Sequence, residues 1–141
     1  MQAAVQQESR VYITHINTPQ EVVIGGDKQA CLRLIEALKC DYFPLPISGI
    51  LHCDPVRLEY EQLKQWATLP VQEQTTINFY SAAGYDQPDQ LSTEKVADLV
   101  ATALSQCCDF PRLVNKAYED GVRIFLELGR AAVVPAGLRK P

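Results

Sequence analysis

The chain has 141 residues and a formal net charge of −4, with Lys and Arg scattered rather than clustered. That length allows one domain with a real core, and the charge pattern argues against nucleic acid as a partner. No apolar run approaches the roughly 20 residues needed to span a bilayer.

Met1 to Arg10 is polar and Gln-rich, with no basic segment leading into an apolar one. It reads as a disordered tail rather than a signal peptide, and a cytoplasmic location is the expectation. Val11 to Ile16 alternates and is rich in β-branched and aromatic residues, which predicts a strand. Asn17-Thr18-Pro19-Gln20 is a turn. Glu21 to Ile24 is a second strand closed by Gly25-Gly26, so the pair reads as a β-hairpin. Asp27 is a good N-cap. Behind it Ala30, Leu34, Ala37 and Leu38 recur at helical spacing, predicting a helix to about Cys40. Tyr42 to Ile47 reads as a further strand, confined to an edge or an irregular course by Pro44 and Pro46.

The run Leu45-Pro46-Ile47-Ser48-Gly49-Ile50-Leu51 then delivers His52 at a strand-to-helix corner, where side chains project from the sheet. Asp54-Pro55 opens a helix with Leu58, Leu63 and Trp66 as its buried stripe. Thr75 to Ala82 reads as a strand. Ser92 or Thr93 caps a helix running to about Cys108, with Val96, Leu99, Val100, Ala103 and Leu104 on one side. Another helix starts at Pro111 and ends near Gly121, a plausible C′ residue. Val122 to Leu128 reads as a strongly apolar strand. Strand, helices, strand is a crossover unit, so residues 76–81 and 122–128 should pair in parallel. The tail from Arg130 to Pro141 has no usable period and is expected to be loosely held.

Five cysteines make an odd count without any Cys-x-x-Cys, and the two histidines are far apart in sequence. Neither a zinc site nor a disulfide framework is signalled, and no cofactor is implied. Reduced, mostly buried thiols are the plain reading.

Five stretches in order carry a family resemblance: His15 to Asp27, Leu45 to Cys53, Phe79 to Ala83, Phe110 to Val114 and Gly121 to Gly129. On these the chain resembles the malonyl/acyl transferase domains of fatty acid and polyketide synthases, most of all the acyltransferase of polyunsaturated fatty acid synthases. The fold class this implies is α/β. A partial ferredoxin-like α+β subdomain (11–48) would be followed by a parallel βαβ part of the acyltransferase core (49–129).

The resemblance implies a Ser-His dyad. The serine attacks an acyl-CoA thioester and passes the acyl group to the phosphopantetheine thiol of a carrier protein. The histidine is general base and then general acid. By that resemblance His52 is the catalytic histidine. Cys107, counting back from Pro111, falls where a main-chain carbonyl orients it. Asn17 would line the mouth of the acyl cleft, and Leu51 the acyl site. The implied partners are acyl carrier protein, acyl-CoA, and the serine-bearing half or synthase subunits. The departure is equally plain: no G-x-S-x-G elbow occurs in the sequence, so the chain reads as the histidine-bearing half, inactive in isolation. A non-catalytic α/β remnant or docking module is the alternative.

Read residue by residue, His52 could also be a satisfied corner histidine, and Asn17 a simple turn residue. His15 is expected to lie in its strand facing away from, or beside, Asn17 with a structural role. Cys53 adjoins His52, so in extended chain their side chains diverge and a Cys-His nucleophilic pair is poor. The aspartates show no paired arrangement for acid-base work. The apolar Gly49-Ile50-Leu51 favours a fatty or unsubstituted acyl chain over a carboxylated one.

Overall fold

A computed structural model describes residues 2–72, 76–88 and 90–126. Its centre is the hairpin of β1 (Val11–Thr18) and β2 (Glu21–Gly26), paired antiparallel. β1 also pairs in parallel with β3 (Cys108–Asp109), giving the sheet order β2-β1-β3. α1 (Gln2–Val5) precedes the hairpin and α2 (Lys28–Leu38) follows it. A 3₁₀ helix (Asp54–Glu59) leads directly into α3 (Tyr60–Trp66). α4 (Thr93–Leu104) and α5 (Phe110–Glu119) flank β3.

The hairpin and α2 form where the sequence places them. The Asp27 carboxylate accepts the Ala30 N–H at 3.0 Å, satisfying one of the donors a helix start leaves orphaned. Gly26 takes φ 137°, and a Cβ there would lie 2.0 Å from the Arg10 carbonyl oxygen, so only glycine fits the end of β2. Ala30 and Leu34, one turn apart on α2, close a core with Val11 and Val5. Val5 is only 6% exposed. The expected disorder of residues 1–10 is thereby corrected: a single buried valine docks the N-terminal turn on β1.

The later helices also start and stop on sequence signals. The Ser92 hydroxyl accepts the Lys95 N–H at 3.1 Å, and the Asp109 carboxylate accepts the Arg112 N–H at 3.0 Å. Pro111 sits in the first turn of α5. That helix ends in a Schellman motif: the Val122 N–H reaches the Ala117 carbonyl, the Gly121 N–H reaches that of Tyr118, and Gly121 has φ 103°. α3 and α4 are tied by the Tyr60 hydroxyl donating to Asp98 and by Lys64 beside the same carboxylate at 3.4 Å. The Tyr60 bond first, and then Lys64, hold Asp98 below the usual carboxylate range.

Further expectations change. Tyr42–Ile47 is not a strand; two prolines remove donors and fix φ, and the segment runs irregularly. Residues 76–80 and 122–126 carry no strand, and the described part of this stretch forms only an isolated bridge between Ser81 and Asp86. Glu127 and Leu128 of the predicted last strand, and the tail beyond, lie outside the described residues. The hairpin is not a separate antiparallel sheet closed by 42–48, since its sheet continues into β3. The predicted stripe of α3 fails as well: Leu58 is 90% and Trp66 70% exposed. α4 is buried through Ala97 and Ala101 rather than through its larger side chains, because small residues let the helices approach closely.

Candidate functional site

His52 follows Ile50, which abuts the hairpin: a Cβ on Gly25 would come 3.1 Å from the Ile50 Cδ1. Cys53, buried and extended, then caps the 3₁₀ helix, and Pro55 opens it. Between them His52 adopts φ 60°, the left-handed region. A non-glycine residue there costs about 1–2 kcal/mol unless its surroundings hold it. Two hydrogen bonds do so. The His52 backbone N–H donates to the Leu104 carbonyl at 2.7 Å. The ring Nδ1 lies 2.7 Å from the Ala103 carbonyl oxygen, and since a carbonyl only accepts, Nδ1 carries the proton. Ala103 and Leu104 are the last residues of α4, so His52 serves two carbonyls that the helix end leaves without intrahelical partners. In its neutral form the ring thus takes the tautomer that leaves Nε2 as a proton acceptor.

The carbonyl that orients His52 is therefore Ala103, not Cys107. The Cys107 carbonyl accepts the Tyr85 hydroxyl at 3.0 Å, and the same hydroxyl accepts the Asp109 N–H at 2.7 Å. The reason is reach: α4 ends at Leu104, and its open end, not the segment three residues on, meets the histidine. Gln106 donates to the carbonyls of Ala82 and Ala83, so the 81–86 turn is stapled to the segment leading into β3. Burial pushes the Cys107 and Cys53 thiols up, the opposite of what a nucleophilic cysteine needs. Both line an open groove beside β1, with Val11, Ile13 and Ile16.

His15 is the residue the sequence reading missed. Its ring centroid lies 4.5 Å from that of His52, with the planes inclined by 60°. The cause is a β-bulge. Ile13 pairs with Ile24 and His15 with Val23, so Thr14 is an extra residue in β1. One extra residue reverses the alternation of faces beyond it, and bulges re-aim side chains in this way. Burial, and then the neighbouring His52, hold His15 below the ordinary histidine range. A polar Thr-His pair set between Ile13 and Ile16 was the one available signal.

The other candidates sit further out. The Asn17 amide donates to the Glu21 carboxylate at 2.8 Å across the hairpin turn, and Leu51 is half exposed beside His52. No group of three or more His, Cys, Asp or Glu suited to a metal occurs among the described residues. No described helix is long and apolar enough to cross a membrane.

No known family profile matches the chain. One subunit of the polyunsaturated fatty acid synthase of Thraustochytrium sp. is 26% identical over 140 residues, covering 89% of this chain and 7% of that protein. The malonyl-CoA:acyl carrier protein transacylase of Helicobacter pylori superposes with a TM-score of 0.78 at 21% identity, over 96% of this chain and 43% of its own. The Streptococcus pneumoniae transacylase gives 0.72 at 22% identity, over 94% and 44%. The chain thus spans less than half of each transacylase and a small part of the synthase protein. In fold it matches part of two malonyl-CoA:acyl carrier protein transacylases, and in sequence a segment of a polyunsaturated fatty acid synthase subunit.

Proposed function

We propose that the chain is the histidine-bearing part of an acyl-transferring site, with His52 as the base. The observation that carries this reading is the clamping of His52. A left-handed backbone, a bonded N–H and a bonded Nδ1 hold one imidazole with Nε2 ready to accept a proton. The similarity to transacylases supports the reaction class, and the missing elbow means the serine comes from elsewhere in a longer polypeptide or from another chain. In the first half-reaction Nε2 takes the serine proton as the oxygen attacks the thioester carbonyl. The C–S bond then breaks, and the CoA sulfur leaves with that proton. In the second, Nε2 takes the proton of the carrier thiol, whose sulfur attacks the acyl ester. The C–O bond breaks and the serine oxygen recovers the proton. Within each half-reaction, between taking the proton and giving it up, the ring is an imidazolium facing the negative end of the α4 dipole. Asn17 and Leu51 are proposed to border the acyl group, and a carrier protein and acyl-CoA are the proposed partners in the cytoplasm.

The test is reconstitution with a serine-bearing half, following the acyl-enzyme by intact mass. His52→Ala should slow acylation by about a hundred- to ten-thousand-fold with the fold retained. Near-normal acylation by His52→Ala, or a stable acyl-enzyme on the present chain alone, would remove the assignment. The exposed apolar residues on 122–126 (Leu126 is 82% exposed) favour, as a second reading, a docking module without catalysis. That reading wins if the reconstituted pair binds but His52 is dispensable.

A further inference from the structure

The chain has two histidines, and although they are far apart in sequence their rings touch. His15 is anchored before it meets His52. The Thr14 hydroxyl donates to the Val23 carbonyl at 3.3 Å, which leaves its oxygen to accept from His15 Nδ1 at 3.0 Å. Thr14 is itself buried and is the bulged residue of β1. The chain of contacts runs from the β2 backbone through a hydroxyl to one imidazole, and from that ring face to the second imidazole, which is tied to the end of α4.

We propose that His15 is a positioning residue for His52, forming the wall that keeps the second ring in its single Nδ1–H orientation. The proposal rests on the reading of His52 as the base but does not depend on acyl transfer for its test. A lone hydrogen bond from Nδ1 to Ala103 leaves the ring free to turn over about its Cβ–Cγ bond, which would put Cδ2 where Nδ1 lies, break that bond and free the ring to take the other tautomer. An aromatic ring packed at 4.5 Å opposes that turn. The wall must also tolerate positive charge on His52 during proton transfer. A second imidazole that stays neutral does so, whereas a lysine or arginine at this position would repel the imidazolium. His15 also shares a strand position with β3, pairing with Cys108. The wall is therefore fixed from both neighbouring strands.

The experiment is long-range proton–nitrogen NMR on the 141-residue chain, labelled at its histidines, at about pH 8 where free imidazole is neutral. Wild type should show one His52 tautomer, with the proton on Nδ1. His15→Ala should raise the minor tautomer by up to about tenfold, the scale of a lost aromatic pair. His15→Phe, which restores a ring without a titrating group, should return the single tautomer. Thr14→Val keeps the side-chain shape and removes the anchoring hydroxyl; it should shift the tautomer in the same direction, and it carries the test should His15→Ala not fold. An unchanged His52 tautomer in the folded variants, or failure of His15→Phe to restore it, overturns the proposal. If the tautomer responds as stated while no serine-bearing half supports acylation, the acyl-transfer reading fails and this one stands.

Discussion

The hairpin with α2 and the segments 76–80 and 122–126 are both rich in strand-forming or apolar residues, yet only the first becomes regular structure. In the hairpin each local preference is met by something close in sequence. β1 finds β2 across a short turn, Asp27 caps its own helix, and Leu34 meets Val11 and Val5. The other segments have the same apolar, β-branched character, but Ile124 is 78% exposed and no ladder takes them up. Strand propensity describes a side chain that suits a pleated, half-covered surface, and the surface has to be supplied by a neighbour. In the hairpin the neighbour lies within the same few residues. For the later segments it does not, in a chain that matches less than half of the transacylase fold.

The largest effect that sharpens this contrast is in the core. Leu34→Ala should destabilise the chain by about 2–5 kcal/mol, whereas Leu126→Ala should fall within about 0.5 kcal/mol, both read from denaturant midpoints. Equal costs would erase the distinction. A smaller effect is expected at the helix start: Asp27→Ala should cost about 1 kcal/mol by loss of the bond to the Ala30 N–H. A loss far outside the usual capping range would mean that α2 is held by more than local signals.

The smallest effect is in pH dependence. His15 is held below its ordinary value of 6.5 by burial and then by His52. The unfolded chain therefore takes up this proton before the folded one as pH falls through about 6.5. Stability should decline from there until the folded-state value is passed, by at most about 1.4 kcal/mol per pH unit. Above that window the group adds no slope. Melting temperatures at about pH 7 and pH 5 should differ less in His15→Phe than in wild type, and an identical drop in both would show that another group dominates.

How much was legible in the sequence follows the same division. The hairpin, the Asp27 and Ser92 caps, Pro111 and the Gly121 stop were readable because each is a short-range signal with its own physical cause. His52 was readable as a corner residue, and its left-handed backbone adds a constraint that spacing cannot show. Three features were not readable. The bulge at Thr14 changes side-chain parity and cannot be seen from composition alone. The choice of Ala103 over Cys107 depends on where α4 stops, the least certain boundary in any pattern reading. The exposure of Leu58 and Trp66 depends on what the helix meets in space, not on its period.

Tyr85 carries a consequence for motion. Its left-handed backbone turns the ring back over the segment before β3, with Arg112 stacked 4.3 Å above it. Its hydroxyl holds the Asp109 N–H, and Asp109 itself pairs with Ile16 of β1. That amide is released to solvent only when the 81–86 turn lifts. Its deuterium uptake therefore clocks a local opening of the turn, well short of global unfolding. Because β3 is two residues long and its bridge includes His15, each such opening also loosens one of the two strand neighbours of that histidine. One support of the paired rings therefore opens with a single tyrosine hydroxyl, while β2 and Thr14 keep their hold on His15.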